Sequence, residues 1–410
     1  MSLLTRERET DRAAEPDLTA GVAARAADIE RSRRLPGDLI ETLKDAGYFR
    51  LLAPAAFGGS APELADVLRV LESLARADGA TGWVVGQVAS AQLIMSYFPR
   101  RAVDQVYANG PDVLAAGAVA PKGLASREGR ERPEGPEDPE GPEDPADDDW
   151  RVTGQWPFVT GCEDATWIYV QSVVAGDSPA ASAHGVPALR LLLFPREEVR
   201  ILDTWSVCGL RGTGSHDVRL SRARCPHWRT TTVLGDSQPS MDDTIFRIPP
   251  LDQGGLYIAA VVLGIAQGAL DDITAVAASG KRPAFSRERL SASAVFQERL
   301  GEAHMRLQGA RALLYVQAEG AWASARTGRA VPVQERAVRR ATVSTVMADC
   351  VAIVDAAYSL AGGSALYDGS PLQRRLRDIH AAAQHAYASR HHLGVVGGVL
   401  AGEPPAPGLF

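Results

Sequence analysis

Four C-terminal stretches, residues 254–279, 286–326, 331–362 and 371–393, space their apolar side chains three and four apart over unusually long runs. Amphipathic helices of that length cannot hide their stripes against loops and need other helices alongside. The region 240–410 is therefore predicted to be a four-helix bundle. Upstream, from Val113 to about Val233, the texture changes. "WRVTGQWPFVTG", "ATWIYVQSVV", "ALRLLLFP" and "HDVRLSRARC" are short, alternating or β-branched, and broken by glycine and proline, which is strand chemistry. Residues 1–112 are helical in pattern again, with Pro36 placed to open a helix. The expected class is α+β, mostly α, in three domains: 1–112, 113–233 and 240–410.

Charge excludes one class of partner. The net charge of −7 is concentrated in "ERPEGPEDPEGPEDPADDD", residues 131–149, which holds ten acids and one arginine. The remainder carries 42 basic and 40 acidic residues, so no nucleic-acid-binding surface is expected. The tandem "PEGPED" (133–138 and 139–144) lies within 126–149, which is read as a solvated, disordered insertion in the β domain. The longest apolar run, 256–270, is too short and too rich in Gly and Gln to span a bilayer. The first residues lack a signal-peptide pattern, so no membrane association and a cytoplasmic location are expected. The four cysteines, Cys162, Cys208, Cys225 and Cys350, have no paired spacing and predict buried thiols, with no disulfide framework or zinc site.

Five segments, in order, carry a resemblance. They are "LPGDLIETLKDAGYFRLLAPAAFGG", "VTGQWPFVTGCEDATW", "TWSVCGLRGTGSHDVRL", "SGKRPAFSRERLSASAVFQERLGEAH" and "LAGGSALYDGSPLQRRLRD". Together they resemble the acyl-CoA dehydrogenase fold, and within it the two-component (group D) flavin-dependent monooxygenases. The resemblance implies a helical N-terminal domain, a barrel-like β domain, a C-terminal four-helix bundle and a homotetramer. It places Phe158, Thr160 and Ser215 along the flavin ring. Arg282 and Phe285 fall at the flavin phosphates of a neighbouring subunit, and Gly362 and Gly363 at the paired-glycine turn. Trp205 and Arg211, with Ser90 and Gln92 from the helix after "GW", are expected to shape the substrate pocket.

The run "RRLRDIHAAAQHAYASRHH" (374–392) decides between branches of that fold. In the dehydrogenases a glutamate base follows the "RD" by eight residues. Here Ala386 holds that place and "AYA" replaces "EGT", so proton abstraction beside a thioester is not expected. His385 stands one residue earlier, where the resemblance puts a histidine facing the flavin. Imidazole suits handling of an oxygen-derived proton, because its ordinary pKa of about 6.5 allows both states near neutrality. As one continuous helix, the run would set Asp378, His385 and His392 on a single stripe. No two of its histidines have the three- or four-residue spacing of a helical metal site, so no metal is expected.

The implied function is oxygenation of a bulky aromatic or natural-product substrate. Reduced FMN or FAD, with FMN preferred, would come from a separate reductase and react with O2 through a C4a-hydroperoxyflavin. The absence of a dinucleotide glycine fingerprint agrees with a separate reductase. One departure leaves the substrate open: phenol-hydroxylating relatives carry a second histidine near Ala91, and this chain has none there. Simple phenols, indoles, fused aromatics, thioethers and amino-sugar nitrogens (an N-oxygenase) remain alternatives. So does an acyl-CoA dehydrogenase with a relocated base.

Overall fold

The structure is a computed structural model that describes residues 3–127, 149–176, 188–232, 237–283 and 286–403. Five helices come first: α1 (Leu3–Ser32), α2 (Gly37–Asp45), α3 (Leu64–Ala77), α4 (Gly79–Met95) and α5 (Arg100–Val106). Pro36 precedes α2, where its missing N–H costs no hydrogen bond. Asp78 caps α4 by accepting from both the backbone N–H and the hydroxyl of Thr81, each at 2.8 Å. Helix α4 is buried almost all round, so it serves as the post around which the other elements gather.

Seven strands follow: β1 (Ala115–Arg127), β2 (Trp150–Val159), β3 (Trp167–Val174), β4 (Leu189–Pro195), β5 (Arg200–Leu202), β6 (His216–Cys225) and β7 (Thr230–Thr231). They form one mixed sheet in the order β5-β6-β2-β1-β3-β4-β7. Only β1 and β3 run parallel; every other pair is antiparallel. The barrel-like expectation is therefore corrected: the sheet is open. Its edges are β5, three residues long, and β7, two residues long, and neither is paired with the other. Edges that short offer too few backbone groups to close a barrel. Trp156 fills the sheet's own core and donates its indole N–H to the Gln171 carbonyl at 2.7 Å. Of the insertion read at 126–149, residues 128–148 lie outside the described residues, but its ends are corrected: Ser126 and Arg127 pair with β2, and Asp149 is buried and pairs with Arg224 at 2.6 Å.

The C-terminal helices are α6 (Pro250–Ala278), α7 (Ala294–Thr327), α8 (Val333–Ala361), α9 (Pro371–Ala382) and α10 (His391–Leu400). Helix α6 passes through the main core, packed against α3, α4, α8 and α9. By length and composition α6 could cross a membrane, yet 83% of its apolar window is buried inside the protein. Cys162, Cys225 and Cys350 are buried as expected, whereas Cys208 is exposed.

Candidate active site

The expectation of one helix through 371–393 is corrected. Helix α9 ends at Ala382, His385 sits in an extended residue, and a short turn spans Ala386–Ala388. Nothing local breaks an alanine-rich helix here; tertiary contacts do. Ser344 on α8 donates its hydroxyl to the Ser389 carbonyl at 2.7 Å, and Tyr387 packs over Gly254 and Gly255 of α6. The stripe of Asp378, His385 and His392 therefore does not form. His380 instead pairs with Asp355 at 2.8 Å, both half-exposed.

His385 lies between two aromatic rings. Trp83 of α4 meets it edge-on at 5.7 Å between centroids, and Tyr387 lies tilted beside it at 5.1 Å. This burial pushes the imidazole down to about 4, so the expected coexistence of both protonation states near neutrality is also corrected. At pH 7 the ring is neutral. Its Nδ1 accepts the Tyr387 backbone N–H at 3.3 Å, which leaves the ring proton on Nε2. His385 thus presents a neutral N–H donor.

A second candidate group of residues lies in the loop between β5 and β6. Leu210 adopts a left-handed conformation, φ 51° and ψ 34°, a strain of about 1–2 kcal/mol for a residue with a side chain. It is held from both sides. Its N–H donates to Asp378 at 2.6 Å, and its carbonyl accepts from Thr213 Oγ1 at 2.9 Å and Trp205 Nε1 at 3.1 Å. Gly209 and Gly212 let the loop lie directly on its neighbours. A Cβ on Gly209 would fall 2.0 Å from the Arg377 carbonyl oxygen of α9, and one on Gly212 would fall 2.3 Å from Ile29 of α1. Gly212→Ala is accordingly expected to destabilise the fold by about 1–3 kcal/mol, read by denaturant unfolding.

From Leu210 a chain of buried hydroxyls runs to Thr160. Thr213 has one proton and gives it to a carbonyl, so Ser215, at 2.8 Å, donates to Thr213. Thr160, 2.8 Å from Ser215, must then donate to Ser215. The remaining capacity of Thr160 is to accept. Next to it, Gly161 lies against Val84 of α4, one residue along from the Trp83 that touches His385.

Phe158 stands at φ 64°, 71% exposed, where β2 slips register against β6, and meets Trp205 edge-on at 6.2 Å. A bulky residue held left-handed with its ring in solvent is strain without a packing reason. Arg211 buries its Nε with no hydrogen-bond partner. Gln92 belongs to the fold rather than to a pocket. It is 1% exposed, its amide donates to the Phe49 and Val113 carbonyls, and its oxygen accepts from Leu52 N. Ser90 is half-buried on the same helix. Arg282, Gly362 and Gly363 are exposed, and Phe285 lies outside the described residues.

Trp83, Tyr387, Thr213 and Asp378 were not assigned to the site from the sequence. All four sat inside quoted motifs: Trp83 in "GW", Tyr387 in "AYA", Thr213 in "TWSVCGLRGTGSHDVRL" and Asp378 in "RRLRD"; only Tyr387, two residues after His385, carried a local signal. An open hollow of about 1110 Å³ lies elsewhere: its lining holds Arg101, Arg200, Arg219, Arg224 and Arg229 and none of these residues.

The acyl-CoA dehydrogenase N-terminal domain family matches residues 7–99, and the C-terminal domain family matches residues 256–390. The chain is 28% identical to an indole-3-acetate monooxygenase of Pseudomonas putida, over 94% of this chain and 92% of that protein. It is 30% identical to the oxygenase component of an FADH2-dependent resorcinol hydroxylase from Rhizobium, over 89% and 88%. The chain belongs to the two-component flavin-dependent monooxygenases of the acyl-CoA dehydrogenase fold. The solved structure of XiaF from Streptomyces, in complex with FADH2 and glycerol, superposes with a TM-score of 0.83 at 25% identity, covering 98% of this chain and 100% of that one. As a monooxygenase of this family, the protein takes reduced FMN or FAD from a separate flavin reductase and uses O2 on a small-molecule substrate. The residues fit that cofactor. A reduced flavin carries an N–H at N5, and Thr160 offers an acceptor whose own proton is already committed. Phe158, its ring exposed, offers an apolar face for a flat ring.

Proposed function

We propose that this monooxygenase oxygenates a fused aromatic ring of the indole type, with His385 and Thr160 at the reacting centre. The observation that carries the reading is the neutral His385, walled by Trp83 and Tyr387. Reduced flavin, when bound, supplies the two electrons with which one oxygen atom enters the substrate and the other leaves as water. The rest falls to the chain. Thr160 holds the N5 side of the ring by accepting a hydrogen bond. His385 Nε2–H holds a proton against an incoming oxygen, and the two flanking aromatics cover two sides of the half-buried imidazole. Arg282, exposed after α6, suits a flavin phosphate because guanidinium stays charged and bonds bidentately. Phe285, Gly362 and Gly363 are assigned near it on the resemblance alone, and Trp205 and Arg211 are assigned to the substrate side.

The sequence carries no histidine beside Ala91 to ionise a phenol, and the amide of Gln92 is committed to backbone groups. That favours an electron-rich ring needing no ionisation, as in the indole-3-acetate substrate named for the Pseudomonas relative. The test supplies reduced FMN through a flavin reductase, 18O2, and indole, indole-3-acetate or resorcinol. Expected is 18O in an indole-derived product at a rate well above any from resorcinol; resorcinol oxygenated as fast as the indoles contradicts the reading.

We also propose a homotetramer in the cytoplasm, with no membrane or nucleic-acid partner. Val295, Met305 and Val316 on α7 are more than 60% exposed, and α10, "HHLGVVGGVL", buries none of its residues. Apolar faces of that extent call for a covering surface. Light scattering on the purified protein is expected to give four copies; a monomer contradicts it.

A further inference from the structure

Thr160 faces the flavin as an acceptor only while Thr213 keeps its proton on the Leu210 carbonyl. That carbonyl points where it does because Leu210 is held left-handed. The contact holding its N–H comes from another part of the fold. Asp378 on α9 reaches across to the β5–β6 loop, 168 residues away in sequence, with its carboxylate 2.6 Å from Leu210 N. We propose that Asp378 is the positioning residue of the flavin-facing hydroxyl: by holding Leu210 it fixes the direction of the hydrogen bonds from Thr160 through Ser215 to Thr213. This rests on the reading of Thr160 given above.

Asp378 is 5% exposed, and the groups facing it are specific. Asp78, 3% exposed, caps α4 nearby, and Asp378 Oδ2 would stand 3.4 Å from a Cβ on Gly79. Arg374 and Arg377 lie on its own helix. Arg377 is tied to Glu30 of α1 and to the Cys208 carbonyl, and Arg375 turns away to Asp272 of α6 at 2.5 Å. Burial, then the like charge of Asp78, push Asp378 up to about 7, against the opposing bond from Leu210 and the two arginines. Below that value the carboxyl is protonated, and its grip on Leu210 N–H loses charge assistance, which roughly doubles such a bond. The preference of the site for reduced over oxidised flavin should therefore weaken as the pH falls through 7.

The test measures dissociation constants of oxidised and reduced FMN anaerobically from pH 6 to 8.5. It compares the wild-type protein with Asp378→Asn, Thr160→Ala and Thr213→Val. The titration of the flavin itself is common to all four and cancels in the comparison. Expected is a wild-type preference for reduced FMN roughly fivefold greater at high pH than in Asp378→Asn, and convergence of the two at low pH. Thr160→Ala and Thr213→Val should show the low value throughout. An Asp378→Asn protein with the wild-type preference and pH profile, while Thr160→Ala has lost it, overturns the role of Asp378. A Thr160→Ala protein indistinguishable from wild type instead removes the site reading beneath it. Should Asp378→Asn fail to fold, wild type against Thr213→Val decides: no difference near pH 7 overturns the proposal.

Discussion

His385→Ala is expected to leave the affinity for reduced FMN within about threefold of wild type and to lower product formed per flavin oxidised by about fivefold to a hundredfold, with H2O2 taking its place. The magnitude follows from losing one neutral hydrogen bond at a half-buried ring, about 1–3 kcal/mol, where 1.4 kcal/mol is a factor of ten. His385→Gln keeps an N–H donor and should recover part of the loss. Because burial holds the imidazole at about 4, the yield should show no titration of this group between pH 6 and 8. The stability consequence has a definite sign. Between about 4 and 6.5 the unfolded chain binds a proton at this histidine that the folded chain does not. Folding stability therefore rises with pH across that window and is lost as the pH falls through it. Single-turnover product analysis with H2O2 detection, and unfolding curves from pH 4 to 7, check both statements. A yield unchanged by His385→Ala removes His385 from the chemistry.

Asp252→Ala is expected to cost about 3–5 kcal/mol of folding stability, the largest single-residue effect in the helical region. Asp252 opens α6 with its side chain fully buried, and three arginines from α8 converge on it. They are Arg339 at 3.0 Å, Arg340 at 3.4 Å and Arg336 at 3.8 Å. Arg339 is 2% exposed, so removing the carboxylate strands a buried guanidinium. The same stretch of α6 carries Gly254 and Gly255, on which Tyr387 packs, so the loss should reach the His385 turn as well. Chemical denaturation monitored by circular dichroism measures the cost. A change below about 0.5 kcal/mol, the range of surface substitutions, contradicts the packing described.

The helices were legible in the sequence because each must bury a stripe at period 3.6, and the start of α2 after Pro36 follows proline chemistry. The open sheet was not legible. Alternation tells which face of a strand is buried, but closure depends on the lengths and pairing of β5 and β7, which are set by the loops around them. The break after Ala382 was likewise invisible. No glycine or proline marks it, and alanine favours continuing the helix. The hydroxyl of Ser344 and the packing of Tyr387, both remote in sequence, make the turn that brings His385 between two rings. Thr160 and Ser215 were assigned together from their motifs. Their hydrogen bond, and its direction from Thr160 towards Leu210, needed the positions of Thr213 and Asp378.

The arrangement as a whole depends on a hydroxyl chain that ends in an acceptor for a reduced flavin. Anaerobic titration of the purified protein with oxidised and reduced FMN at pH 8 tests this most directly. A single well-made hydrogen bond to N5–H corresponds to reduced flavin bound about tenfold more tightly or better. Equal affinity for the two forms, or tighter binding of the oxidised one, would contradict it.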